Sequence, residues 1–463
     1  MKLALLVANR GFFPSSVIES AYSEMLTAFE KAGVEALCID DGITKYNAVE
    51  TTQEGMAYAK FLEAHRGEYD GLVICLPNFG DENGIKAAIA DVNVPILLQA
   101  YPDEIGKMDF AHRRDAFCGK LALGSVLAQM GKKYTTYTPF VVHPSSEEFH
   151  VQLSTFAATC RVVSGMKKMR VGCIGARTTA FKSVRFDEFA LENVGIDVET
   201  YDLSTFVQAM QQLDDNDSAV QEWKKKLADV VCFANAPDGR ELAVAKLGVV
   251  VSRLIEDNQL DAIAIRCWSE LQTTFGISPC SVMGILNQNG VAAVCETDVA
   301  NAIAMKGLSL AAESGAGCLD LNNNYGDELD KCILFHCGPL PMDLMTGPGH
   351  VESHKMLDKS YGPDCSWGLN VGKMKTGAVT YSGMRTENGK LQFFVDEGCI
   401  TDDPVEKEFF GVPGVLQTEN LQDKLYTIGM AGFHHHAAIV SGNVANAVTE
   451  AFTKYLGYQQ IGV

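Results

Sequence analysis

Strands alternate with helices from the first residues of this chain, and that alternation constrains its fold more than any other feature. Leu3 to Ala8 is an unbroken apolar run, Ser16 to Lys31 carries a helical pattern that stops at Gly33, and Val34 to Ile39 resumes as strand. This is a βαβ unit, and its helical crossover requires the two strands to run parallel. A Thr51-x-x-Glu54 capping box then opens a helix to His65, Gly71 to Leu76 is a buried strand, and Pro95 to Gln99 is another. Such a parallel sheet presents its ligand-facing loops at the strand C-termini, where Asn9-Arg10-Gly11, Pro77-Asn78-Phe79-Gly80 and Gln99 fall. Helices around Arg113 to Lys132 and Glu147 to Met166 complete a first α/β domain over residues 1–167.

A second α/β domain, residues 168–312, opens with a strand entering a glycine turn, Met169-Arg170-Val171-Gly172-Cys173-Ile174-Gly175. Only two glycines are in place, short of the GxGxxG that cradles a dinucleotide, so the segment reads as a tight turn and an NAD-dependent dehydrogenase is disfavoured. A helix is expected over Gln211 to Lys226, and strands over Ala262 to Arg266 and Val291 to Cys295. Beyond Leu340 the alternation gives way to short strands, Gly377 to Ser382 and Leu391 to Val395 among them, and a last helix from about Ala437 to Leu456. The expected architecture is therefore α/β: two Rossmann-like doubly wound domains, then a β-rich, barrel-like domain over 313–463 closed by a terminal helix.

Composition narrows the partners. The chain has 463 residues with 38 basic against 58 acidic side chains, a net charge of -20 that repels nucleic acid and anionic membrane surfaces. The opening MKLALLVANRGFFP has an apolar run too short for a signal-peptide core. Fourteen cysteines without a single CxxC argue for reduced thiols in a cytoplasm and against a thiolate zinc site. These features lead to the expectation of a cytoplasmic protein acting on a small molecule.

The candidate chemistry lies in Val291 to Gly338 and in a late histidine triplet. Glu296 follows the apolar Val291 to Cys295 and precedes Thr297 and Asp298, which can cap a helix running to about Ala312. Asp320 ends the apolar run Ala316 to Leu319 ahead of three asparagines, where an aspartate is commonly a turn residue. His336 ends Lys331 to Phe335, and the triplet is His434-His435-His436. Adjacent side chains in an extended segment alternate faces, so at most two of the three can enter one site. Two acids with two histidines form a mixed oxygen and nitrogen donor set that favours Mn²⁺, with Co²⁺, Mg²⁺ or Fe²⁺ as alternatives. Arg10 is a candidate anion or hydroxyl binder, and Trp268 and Glu270, just after a buried strand, are further candidate substrate-binding residues.

The order Glu296, Asp320 24 residues on, His336 16 further, then Gly432-Phe433-His434-His435 resembles the L-fucose isomerase and L-arabinose isomerase superfamily. The Cys-Glu-Thr-Asp around Glu296 resembles the acid-bearing turn of both branches, and Asn9-Arg10-Gly11-Phe12-Phe13-Pro14 the fucose-isomerase-like group. The resemblance implies aldose–ketose interconversion of a fucose- or arabinose-type monosaccharide through an enediolate. It implies Glu296 and Asp320 as both catalytic groups and metal ligands, with His435 and His336 completing the ligand set. Anchoring on Gly442-Asn443-Val444 instead selects His436. It further implies a homo-oligomer, trimer or hexamer, with active sites at subunit interfaces. A sulfoquinovose-type, acidic-sugar isomerase is the alternative that Arg10 suggests, and a non-catalytic sugar-binding protein is the reading outside enzymes.

Overall fold

The opening apolar run is β1 (Lys2–Ala8), buried on both faces because helices flank it on each side. The computed structural model describes residues 1–407 and 409–463, which divide into two compact units, Met1–Ser164 and Gly165–Val463. In the first unit β1 pairs in parallel with β2 (Glu35–Leu37), β3 (Ala48–Val49) and β4 (Gly71–Leu76), and β4 with β5 (Ile96–Ala100). Leu3, Leu5 and Val7 face one core, filled by helices Ser16–Lys31 and Glu147–Met166. Ala4, Leu6 and Ala8 face the other, filled by helices Thr52–Ala64, Glu82–Ala88 and Ala116–Gln129. A pleat with side chains alternating between two covered faces is why these strands read as continuous apolar runs. The capping box forms as expected: Thr51 Oγ1 accepts from the Glu54 amide at 3.2 Å, and Glu54 Oε2 accepts from the Thr51 amide at 3.0 Å. At the strand C-termini Asn78 Nδ2 donates to Asn9 Oδ1 at 2.7 Å, and the Arg10 guanidinium lies 3.9 Å from the centre of the Phe79 ring.

The second unit holds three sheets. The first is parallel, order β10-β9-β6-β7, from β6 (Met169–Ile174), β7 (Ile196–Tyr201), β9 (Ala262–Ile265) and β10 (Ala292–Cys295). The second is antiparallel, from β11 (Gly317–Tyr325), β12 (Glu328–Phe335), β15 (Gly377–Glu387), β16 (Lys390–Thr401), β17 (Gly414–Gln417) and β18 (His436–Ser441). Its pairings run β15-β18-β11-β12-β17-β16 and return through β15–β16, so these six strands close on themselves, with β19 (Gln459–Gln460) attached to β16. The barrel-like expectation thus takes the form of a ring without a free edge. The third sheet is small: β8 (Val231–Cys232), β13 (Gly349–Ser353) and β14 (Trp367–Val371). Helix Val299–Ala312 is apolar nearly all round and almost wholly buried, packed against β15 and β18 of the barrel.

Four expectations are corrected. Ala437 is not the start of the last helix: His436–Ser441 is strand β18, and the helix begins at Ala445. The run Ala-Ala-Ile-Val is buried in either state, and its pairing with β11 and β15 decides for strand. Asp320 does not end its strand, because β11 continues through the three asparagines to Tyr325, where pairing with β12 satisfies the backbone. The short strands near 377 and 391 are a single long hairpin. The single helix expected over 211–226 is two, Leu203–Gln212 and Ser218–Val230, each with its own aspartate cap, Asp202 and Asp217. Among the described residues no helix is long and apolar enough to cross a membrane.

Candidate active site

Strand register brings the site together. Asp320 in β11 stands directly opposite His436, the first residue of β18, so residues far apart in sequence become cross-strand neighbours. On its other side Asp320 pairs with Phe335, which places His336 at the end of the adjacent strand. Glu296 arrives from the parallel sheet, one residue past β10, where the chain turns into helix Val299–Ala312. It makes that turn in the left-handed region, with φ 63° at Glu296 and 58° at Thr297. For a glutamate and a β-branched threonine this costs about 1–2 kcal/mol per residue, a strain held in place by the surrounding structure.

His436 is the hub. Its side chain is 1% exposed, and its Nε2 lies 3.1 Å from Glu296 Oε2 and 3.6 Å from Asp320 Oδ1. Its Nδ1 lies 2.8 Å from Asp298 Oδ2, which also meets His434 Nε2 at 2.6 Å, while Asp298 Oδ1 caps the following helix through the Asn301 amide. The ionised, fully buried Asp298 can only accept, so Nδ1 carries a proton and the Nε2 face is turned to the two carboxylates. Burial pulls the His436 pKa down, but the bonds to Asp298 and Glu296 outweigh it and hold the ring well above the usual histidine range. Burial likewise pushes Asp298 upward, and His434 and His436 drive it far below the ordinary carboxylate value. Glu296 follows the same balance: burial raises it, and His436, His336 and Trp268 bring it below its usual value.

The donor set fits a divalent cation. Asp320 Oδ1 is buried and has no hydrogen-bond partner, which costs free energy unless a cation satisfies it. Asp320, His435 and His436 each bring one ligand atom within 4.8 Å of the others, Glu296 Oε2 lies 3.1 Å from His436 Nε2, and Asp298 orients that imidazole as carboxylates orient metal-binding histidines.

The other candidates border this set or lie apart from it. His435 is 45% exposed, with Nε2 3.8 Å from Asp320 Oδ1, so it approaches the same oxygen from the solvent side. His336 is buried, but its nitrogens face cysteines: Nε2 is 3.1 Å from Cys295 Sγ, and Nδ1 accepts the Cys337 amide at 2.8 Å. Trp268 Nε1 donates to Glu296 Oε1 at 3.2 Å, leaving Oε2 for His436. Glu270 Oε2 accepts from Arg266 Nε at 2.8 Å and from the Ser269 amide at 3.0 Å. Arg10 belongs to the first unit, where its guanidinium sits 3.4 Å from Glu82. Sequence reasoning misses three residues. Asp298 reads there as a helix cap alone, His434 as a spare member of a triplet, and Phe181, whose ring centre is 5.5 Å from that of His436, carries no signal. The Glu-x-Asp spacing of Glu296 and Asp298 is the available clue. A cavity of about 260 Å³ opens beside Glu296, walled by Trp268, Cys280, His336, Cys337 and His354 among others.

Residues 4–167 match the family model described as fucose/sulfoquinovose isomerase, N-terminal domain, and residues 334–462 match L-fucose isomerase, C-terminal domain. A sulfoquinovose isomerase of Priestia aryabhattai is 23% identical over 313 residues, covering 66% of this chain and 68% of that one. Another from Alkalicoccus urumqiensis is 21% identical over 398 residues, covering 84% and 85%. A third, from Clostridium sp. (strain MSTE9), is 22% identical over 312 residues, covering 65% and 66%.

Proposed function

The chain belongs to the fucose/sulfoquinovose isomerase family of aldose–ketose isomerases, and from that premise we propose that it converts a sulfoquinovose-type acidic sugar to its ketose with a divalent cation. Relatives named sulfoquinovose isomerases support this over a fucose- or arabinose-type substrate. The observation that carries the cation is the convergence of Glu296 Oε2 and the unpaired Asp320 Oδ1 on His436 Nε2. In this proposal Glu296, Asp320 and His436 hold the ion, with Mn²⁺ the expected occupant of such a donor set. When bound, the cation supplies Lewis-acid polarisation of the sugar carbonyl.

The side chains would do the rest. Isomerisation moves one hydrogen from C2 to C1 and one proton from O2 to O1, with no net redox change. Glu296 lines the cavity, its Oε1 held by Trp268, and is the group that takes the C2 proton and returns it at C1. Asp320, whose Oδ1 lies 3.6 Å from His436 Nε2, is the second proton-transfer group. Asp298 keeps His436 in one orientation throughout. Within the first unit, Arg10 is the proposed oxyanion binder, since a guanidinium fork suits a sulfonate.

The test is incubation of Mn²⁺-loaded protein with sulfoquinovose, L-fucose, D-arabinose and L-arabinose, following ketose formation and bound metal. Conversion of sulfoquinovose ahead of the neutral sugars is expected. Conversion of a neutral sugar in its place would overturn the acidic-sugar reading. Silence across the panel in metal-replete protein would make the chain a sugar-binding protein instead.

A further inference from the structure

Cys280 and Cys337 come from distant parts of the second unit and meet with their sulfur atoms 3.2 Å apart. Cys280 opens helix Cys280–Gln288, and Cys337 follows His336 at the end of β12. Both are free thiols; Cys337 is partly exposed and Cys280 buried, and both wall the cavity that Glu296 faces. The sulfurs need to approach by only about 1.1 Å to reach the ~2.05 Å of a disulfide bond. His336 Nδ1 lies 3.2 Å from Cys337 Sγ, and its Nε2 meets Cys295, the residue before Glu296. His336 thus stands in contact with both Cys337 and the residue that precedes Glu296.

We propose that Cys280 and Cys337 are an oxidisable dithiol that a hydroperoxide closes to a disulfide, and that closure suppresses turnover at the adjacent site. Cys337, the more accessible, attacks the peroxide oxygen, cleaving the O–O bond to give a sulfenic acid and releasing the alcohol, or water from hydrogen peroxide. The Cys280 thiol then attacks the sulfenic sulfur and expels water. Two thiols are oxidised by two electrons and the peroxide is reduced by two, so atoms and electrons balance. The suppression of turnover rests on the isomerase reading; the chemistry of the thiols does not.

The experiment treats the full chain with excess hydrogen peroxide and measures two things independently. Peptide mapping is expected to find a Cys280–Cys337 cross-link with the loss of two hydrogen masses, removed by dithiothreitol. In Cys280→Ser the cross-link should be absent and Cys337 should accumulate as a sulfenic acid that dimedone traps. Isomerase activity of the wild type should fall about 10²-fold, as misplacements of about 1 Å do near reacting groups, and return with dithiothreitol. Failure to find the cross-link while exposed Cys118 or Cys399 is oxidised would overturn the proposal. A cross-link that leaves turnover unchanged would overturn the switch. If no sugar is turned over at all, the mapping result still decides the dithiol.

Discussion

Two histidines whose ring centres lie 5.8 Å apart have opposite surroundings. His436 is enclosed by Glu296, Asp298 and Asp320, whereas His336 faces Cys295 and Cys337. Both are buried, and both sit at an end of a barrel strand that flanks β11, His436 opening β18 and His336 just beyond β12. What differs is the neighbouring element: His436 meets carboxylates from β11 and from the turn after β10, while His336 meets the sulfur chemistry of the cavity wall. Fold position alone does not make a histidine a hard-metal ligand; the donors that cross-strand register brings beside it do.

The largest effect should come from the carboxylates themselves. Glu296→Gln and Asp320→Asn should each lower kcat by at least about 10²–10⁴-fold, the range of a lost acid–base group, with circular dichroism unchanged. Near-normal turnover of either variant with added Mn²⁺ would remove the carboxylate half of the contrast. Next, His436→Asn should strip the protein of Mn²⁺ by elemental analysis, whereas His336→Asn should keep it bound. If His336→Asn loses the ion and His436→Asn retains it, the two histidines exchange roles. The smallest shift is expected for Asp298→Asn, which leaves all three donors in place and loosens the orientation of His436. Metal affinity should fall about 10–100-fold, as for other outer-shell partners, and excess Mn²⁺ should restore turnover. Because Asp298 also caps a helix, thermal unfolding measured beside it separates the two roles, and a lower Tm with unchanged Mn²⁺ affinity would assign Asp298 to the cap alone.

These contrasts mark how far the sequence could be read. The parallel sheets were legible, since buried strands such as Leu3 to Ala8 and Gly71 to Leu76 write themselves as apolar runs between helix signals. Glu296 and Asp320 stood out as acids beside such runs. The barrel strands were not legible at their ends: nothing local says that Asn323 and Asn324 are paired, or that Ala437 to Val440 is strand and not helix, because partners remote in sequence decide both. Asp298 was visible only in its local role, as a cap, because its bonds to His434 and His436 span more than a hundred residues. The rank of the three consecutive histidines was undecidable for the same reason, since it depends on which of them stands opposite Asp320.

That last point turns on the closed ring of strands. In an open sheet, β18 could slide by one residue and exchange the faces of its side chains, offering His435 or Ala437 where His436 stands. Here β18 is zipped on both sides, Asp320 opposite His436 along β11 and Val379 opposite Ser441 along β15, and β15 is tied in turn through β16 and β17 back to β12. A slip would have to be repeated all the way round. The ring therefore works as an indexing mechanism: an insertion before Phe433 is absorbed by the loop, whereas one inside His436–Ser441 changes which imidazole is dialled to the carboxylates.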